Sequence, residues 1–265
     1  MPVPERASDH AADLALLGGA AREAGAIARR HFGGGPAVWD KGDGQGPVSE
    51  ADLEIDAYLR GRLTAERPDY GWLSEESADD LDRLSRSRTF VVDPIDGTRA
   101  FLAGETTWSH SLAVIENGAP VAAVVFVPLM ERLYAARAGG GATRDGAPIA
   151  VSGRPGCDGA EVLGAKANFA DMHWTGGCPP VRRSFRPSLA YRLALVAEGR
   201  FDAMVTLRAA WEWDIAAGAL LVAEAGGLVT DRQGRALRFN GAEARLDGVM
   251  AGTPGVARDL LGRLA

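Results

Sequence analysis

The sequence predicts an α/β fold of the α+β kind, and three observations carry that expectation. Residues 11–32 place Leu14, Leu17, Ala21, Ala24 and Ala28 at three- and four-residue steps, the period of a helix with one buried face. Residues 111–127 hold two apolar runs joined by Asn117-Gly118, the dipeptide of a tight hairpin. Beyond residue 160, strand-like and helix-like stretches alternate, as in a layered α/β protein.

The elements follow in order. Gly18, Gly19 and Gly25 lower the propensity of the first helix, and Gly33-Gly34-Gly35-Pro36 ends it. Residues 37–47, with Lys41, Asp43, Gly44 and Gly46, form a polar loop. That loop is either a mobile flap near a site or a surface connection without a role. Ser49-Glu50-Ala51-Asp52 opens a second helix reaching residue 66, because serine with an acid three residues later is a capping box. By that pattern alone, Asp52 only ties down a helix start. Residues 70–73 read as a strand entering Ser74-Glu75-Glu76-Ser77, where paired acids alone would be solvated surface. Residues 78–87 read as an exposed, charged turn. Residues 90–92 are a buried strand that ends at Asp93-Pro94, since proline has no N–H for a ladder.

A meander over residues 111–116, 120–127 and 132–137 follows, so the first half reads as two helices on a largely antiparallel sheet. Gly153, Pro155 and Gly156 mark a boundary between residues 1–153 and 154–265. Then come a strand at 161–165, an irregular stretch at 167–184, a helix at 188–198 and a strand at 201–206. Arg182, Arg183 and Arg186 lie nearby; Arg182 and Arg183 read either as contacts for an anionic substrate or as part of a solvated basic turn. Asp214 reads as the N-cap of a helix that ends at Gly226-Gly227. Short strands at 228–230 and 248–251 and a helix at 253–264 complete the chain.

Composition narrows the function. A chain of 265 residues with 46% hydrophobic content suits one large domain or two intimate ones. A net charge of −6 without a Lys/Arg run argues against a nucleic-acid surface. Anionic substrates remain open, because bound cations can supply positive charge. Cys157 and Cys178 make no metal pattern and read as free thiols of a reducing cytoplasm, with a bridge left open. No signal-peptide pattern and no membrane-length apolar run is visible, so a cytoplasmic protein without a membrane partner is expected.

The chemistry concentrates in Asp93-Pro94-Ile95-Asp96-Gly97-Thr98. Two carboxylates in a turn after a buried strand suit Mg²⁺. The N–H groups of Gly97 and Thr98 suit a phosphate oxygen. Together they suit phosphoryl chemistry.

This stretch resembles the signature of the inositol monophosphatase superfamily, Mg²⁺-dependent and Li⁺-sensitive phosphomonoesterases. Ser74-Glu75-Glu76, Trp213-Asp214-Ile215-Ala216-Ala217-Gly218 and Glu224-Ala225-Gly226-Gly227 match in the family's order, so the resemblance spans nearly the whole chain. It implies a layered αβαβα sugar-phosphatase fold and a homodimer. Residues 1–153 would hold most metal ligands, and residues 154–265 would supply Asp214 and substrate contacts. It assigns Glu75, Asp93, the carbonyl of Ile95, Asp96 and Asp214 to two or three Mg²⁺ ions. It assigns Asp52 and Thr98, with Glu75, to activation of the attacking water. Asp96, Gly97, Thr98, Ser188 and Asp214 would contact the substrate, a small phosphorylated metabolite. Four like charges could not be buried together without cations. Zinc is less suited, because no His or Cys joins the set. His110, between two serines, reads as structural ahead of a general acid.

Inositol-specific relatives carry an acid seven positions before the metal-binding aspartate; here that position is Leu207. Glu212-Trp213-Asp214 and Leu195-Val196-Ala197-Glu198-Gly199 resemble CysQ-type 3'(2'),5'-bisphosphate nucleotidases. The expected reaction is therefore adenosine 3',5'-bisphosphate to AMP. Inositol 1-phosphate and histidinol phosphate are the alternatives. Pro187 stands where relatives usually have glycine, which bears on the contact made by Ser188. A regulatory partner of the transcription or translation machinery is the reading from another class.

Overall fold

The computed structural model describes residues 5–40, 42 and 47–265. Helix α1 (Glu5–His31) begins before the predicted start and buries Leu17, Ala21, Ala24 and Ala28. Gly25 is there for closeness: a Cβ would lie 2.6 Å from the Phe126 ring. Strands β1 (Val38–Asp40) and β2 (Pro47–Ser49) pair antiparallel, so the ends of the expected loop are strand. Lys41, Asp43, Gly44 and Gly46 of the expected flap lie outside the described residues. Helix α2 (Glu50–Glu66) starts behind Ser49 as the capping box predicts.

Strand β3 (Gly71–Ser74) runs parallel to β4 (Arg88–Asp96). Between them residues 78–87 are not simply an exposed turn, because a 3₁₀ turn at Asp82–Ser85 carries Arg83 into full burial. Nor does β4 stop at Asp93. Asp93 pairs with Ser111 and Asp96 with Ser109, so Pro94 and Ile95 oppose His110 alone. Proline removes one ladder hydrogen bond, and the strand accommodates it as a bulge. Helix α3 (Thr98–Leu102) follows, then β5 (Ser109–Glu116) and β6 (Ala119–Val127). Their turn has positive φ at both Asn117 (53°) and Gly118 (79°), as a two-residue hairpin requires. Strands β7 (Arg132–Arg137), β8 (Ala142–Arg144) and β9 (Ala147–Pro148) complete a seven-stranded sheet in chain order.

The second half supplies β10 (Glu161–Leu163), β11 (Arg182–Ser184), α4 (Leu189–Ala197), β12 (Ala203–Thr206) and β13 (Ala210–Trp211). It continues with α5 (Glu212–Glu224), β14 (Leu228–Thr230), β15 (Arg245–Leu246), β16 (Val249–Gly252) and α6 (Pro254–Leu261). Five of these strands form a mixed sheet in the order β11-β10-β12-β16-β14, and β13 pairs with β15.

Layering follows from the two-residue period of the strands. Phe90, Val92, Leu112 and Val124 face α1 and α2, beside Leu17 and Ile55. Val91, Ala113, Ile115 and Val125 face the other way, onto α4 and α5, beside Leu193, Ile215 and Leu221. Those helices also cover Met204, Val249 and Ala251 of the second sheet. The far side of that sheet, with Val205 and Met250, packs on Val256 and Leu260 of α6. The result is the αβαβα stack. Among the described residues, no helix is long and apolar enough to cross a membrane.

Candidate active site

The site forms where β3, β4 and the start of α5 meet. The N–H of Glu75 bonds to the carbonyl of Val92 at 3.2 Å, extending the β3–β4 pairing and setting Glu75 beside Asp93. Asp214 arrives from α5. It is not the N-cap: Trp211 is the last extended residue and Glu212 already lies in the first turn, so Asp214 is the third residue of the helix. The hydroxyl of Ser111 donates to the carbonyl of Trp213 at 2.7 Å and ties that turn to β5. Carboxylate oxygens of Glu75, Asp93 and Asp214 then lie within 4.8 Å of one another.

Asp93 is the telling member. It is buried, and among the described residues neither oxygen has a hydrogen-bond donor. Burial, then the charges of Glu75, Asp96 and Asp214, hold its carboxyl well above the usual carboxylate range. Burial and the charges of Asp96 and Glu75 do the same to Asp214, against the pull of Arg208. A buried carboxylate with no donor, beside two others, is the arrangement that a cation satisfies. An all-oxygen donor set fits a hard divalent ion.

Asp96 lies outside this trio. One of its oxygens accepts from the Ser188 hydroxyl at 2.6 Å and from the Ala190 N–H at 2.6 Å, at the start of α4. Burial pushes its carboxyl up to about 6, against those bonds. Ser188 is the N-cap of α4; its hydroxyl also accepts from the Tyr191 N–H and lies 3.0 Å from the Ser109 hydroxyl. It is fully buried behind Asp96 and does not line the cleft.

Asp52 caps α2 and also touches Thr98. One oxygen accepts from the N–H and hydroxyl of Ser49 at 2.8 and 2.5 Å, which caps α2. The other is 3.2 Å from the Thr98 hydroxyl, which also lies 3.1 Å from the carbonyl of Ile95. Burial raises the Asp52 carboxyl, against the bonds from Ser49. Gly97 has φ +101° and caps α3, which aims the following turn at the cleft. His110 is buried away from the cleft with Nδ1 on the carbonyl of Pro94, across the bulge. Burial lowers it to about 4, so it is a neutral brace.

Glu75, Asp93, Ile95, Asp96, Gly97, Thr98 and Asp214 all line one cleft of about 1030 Å³. Asp52 reaches it only through Thr98. Arg182 and Arg183 do not line it: Arg182 pairs with Glu161 at 3.2 Å and Arg183 bonds to the carbonyl of Gly164. Sequence reasoning missed Arg192, Arg208 and Phe185, which do line it. The guanidinium of Arg192 lies 4.4 Å over the Phe185 ring and donates to the carbonyls of Arg186 and Pro187. Its one signal was an arginine amid the apolar residues of α4. Arg208 is exposed in the loop after β12, and no hydrogen bond or ion pair to it is found among the described residues.

With that geometry in place, similarity to known proteins is informative. The sequence matches the inositol monophosphatase family over residues 11–263. An inositol-1-monophosphatase of Rhizobium meliloti (strain 1021) is 36% identical over 203 residues, 71% of this chain and 73% of that protein. A histidinol-phosphatase of Mycobacterium tuberculosis (strain ATCC 25618 / H37Rv) is 31% identical over 257 residues, 90% of this chain and 94% of that protein. The crystal structure of extragenic suppressor protein suhB from Bartonella henselae superposes with a TM-score of 0.81 at 28% identity, covering 95% of this chain and 97% of that one. The chain belongs to the inositol monophosphatase family and is a phosphoric monoester hydrolase acting on small phosphorylated substrates.

Proposed function

We propose that the protein is a Mg²⁺-dependent phosphomonoesterase whose substrate is a doubly phosphorylated nucleoside, adenosine 3',5'-bisphosphate. The observation that carries the metal reading is Asp93, buried beside Glu75 and Asp214 with no donor among the described residues. These three, with Asp96 and the carbonyl of Ile95, would hold two or three ions. Bound divalent cations polarise the phosphoryl group and make water more acidic. The chain's own residues do the rest. Ser49 pins one oxygen of Asp52 and leaves the other turned to Thr98. The Thr98 hydroxyl takes a proton from the attacking water and passes its own to Asp52. The N–H groups of Gly97 and Thr98 hold phosphate oxygens.

The substrate reading rests on the cleft. Leu207 offers no acid to a polyol. Arg208 beside it favours a second anionic group and disfavours the amine of histidinol phosphate. Phe185, half-exposed, offers a face to a base. A volume of about 1030 Å³ accommodates a nucleotide. The two acids that resemble bisphosphate nucleotidases do not add to this. Glu212 accepts from the N–H groups of Asn240 and Gly241, and Glu198 holds Tyr134 and Arg144. Histidinol phosphate is the second reading, favoured by the name of the mycobacterial relative. The full carboxylate set favours catalysis over a purely regulatory role.

The test is phosphate release from adenosine 3',5'-bisphosphate, inositol 1-phosphate and histidinol phosphate, with Mg²⁺ and then with chelator. The nucleotide is expected to give the highest kcat/KM and chelator to abolish activity. A higher kcat/KM for either monophosphate overturns the substrate reading. Full activity in chelator overturns the metal reading.

A further inference from the structure

We propose that Arg83 and Glu212 are positioning residues, two halves of a buried clasp that holds Glu75 and Asp214 at the spacing a cation needs. This rests on reading Glu75, Asp93 and Asp214 as a cation site. Arg83 and Glu212 are each 1% exposed, and both grip the same two residues. Arg83 donates to the Asn240 side-chain oxygen at 2.7 Å and to the carbonyl of Gly241 at 2.9 Å. Its remaining capacity goes to Asp79, at 2.6 and 3.0 Å. Glu212 accepts from the N–H of Asn240 at 2.6 Å and from the N–H of Gly241 at 2.8 Å. Asn240 takes the left-handed conformation, φ 61°, which an asparagine tolerates and which turns both N–H groups to one side.

The clasp reaches the cation site at both ends. Glu212 is two residues before Asp214 in the first turn of α5. Arg83 packs so tightly on β3 that a Cβ at Gly71 would lie 2.6 Å from its own Cβ. The strand so pinned leads straight into Glu75, whose neighbours Ser74 and Ser77 both donate to Asp56 of α2 at 2.5 Å. Glu75 is thus held from α2 on one side and, through Arg83 and the 240–241 turn, from α5 on the other. Buried ionic groups contribute little net stability over an apolar replacement, so geometry is what such a clasp supplies. Residues that orient ligands from behind typically change metal affinity by about 10- to 100-fold when removed.

The experiment is Mn²⁺ binding to the purified full chain, followed by electron paramagnetic resonance, with thermal melts alongside. The wild type is expected to bind; if it does not, the cation reading fails and the clasp with it. Glu212→Gln and Arg83→Met are each expected to weaken Mn²⁺ binding about tenfold, and the double variant to be no weaker than the worse single. Arg83→Lys should recover part of the loss. Phosphate release at saturating cation should return towards the wild-type kcat. Arg88→Met, in a buried ionic cluster away from the cleft, serves as control: its melting temperature should fall and its Mn²⁺ affinity should not. If Arg83→Met does not fold, Glu212→Gln decides alone. A folded Glu212→Gln protein that binds Mn²⁺ as tightly as the wild type overturns the clasp.

Discussion

Asp13 on α1 and Asp93 on β4 are both buried aspartates beside the large sheet, yet their surroundings are opposite. Asp13 accepts from Arg67 at 2.9 Å and Tyr70 at 3.0 Å, with Arg88 at 3.6 Å. Arg88 also pairs with Glu116 at 3.1 Å, and His10 lies 3.3 Å from Glu116. Burial pushes Glu116 upward, but the hydrogen bond and charge of Arg88 win and hold its carboxyl below the usual range. Among the described residues Asp93 has no such partner, and it is pushed the other way. The first cluster is complete within the chain. In the second, among the described residues, Asp93 lacks a donor, a need that the proposed cations would meet. Burial of acids alone therefore does not point to a site; a buried acid that lacks a donor among the described residues, as Asp93 does, is what points to one.

The contrast is broken most directly at Asp93 and at Arg88. Asp93→Asn is expected to cut phosphate release at least about 10³-fold, the scale of losing a transition-state charge stabiliser, while leaving the metal-free protein as stable or more so. Steady-state kinetics and a melt in chelator check both halves, and a destabilised metal-free variant would count against an unsatisfied Asp93. Arg88→Met should do the reverse. It takes the arginine partner from Glu116 and a neighbouring charge from Asp13, and is expected to cost about 3 kcal/mol of stability, read by urea unfolding, with kcat unchanged.

Titration sharpens the comparison further. Asp96 is raised to about 6, and Asp93 and Asp214 are raised too, so the folded metal-free protein holds protons more tightly than the unfolded chain. That contribution is fully present below an ordinary carboxylate pKa of about 4 and is lost as pH rises through about 6. Glu116, held down, contributes the opposite dependence, with stability lost as pH falls. The gap in stability between Mg²⁺ and chelator should therefore widen from pH 5 to 7.5, on the order of 2 kcal/mol. Calorimetric melts across that range would contradict the site if the gap narrowed. The smallest effect belongs to the cleft's cationic side. Arg208→Glu should raise KM for adenosine 3',5'-bisphosphate about tenfold, or roughly 1.4 kcal/mol, and change KM for a monophosphate far less. Equal changes for both would remove Arg208 from second-anion recognition.

Much of this was legible in the linear chain. Asp93, Asp96, Gly97 and Thr98 are adjacent in one motif, so their proximity needs no fold. The helix starts at Ser49 and Ser188 and the Asn117-Gly118 turn depend on residues within a few positions. What stayed hidden was non-local. Ser188 was expected against the substrate, but its hydroxyl is committed to Asp96, 92 residues earlier in the chain. Arg83 sat in a charged run that composition reads as solvent-facing, and only its partners across 157 residues take it inside. Glu212 resembles a substrate marker, but its carboxylate is committed to the N–H groups of Asn240 and Gly241.

The sequence by itself determined most elements, the family and the acids to which the proposed chemistry is given, because each is written in short-range spacing: periods of two and three to four, caps, turns, and acids clustered in motifs. The tertiary structure alone decided which of the buried acids find a donor. That depends on where distant side chains return: Arg67 comes back to Asp13 across 54 residues and His10 to Glu116 across 106, and among the described residues no donor reaches Asp93. A carboxylate in a low-dielectric interior must find a donor or a cation. Its need is local, but whether the fold meets it is not.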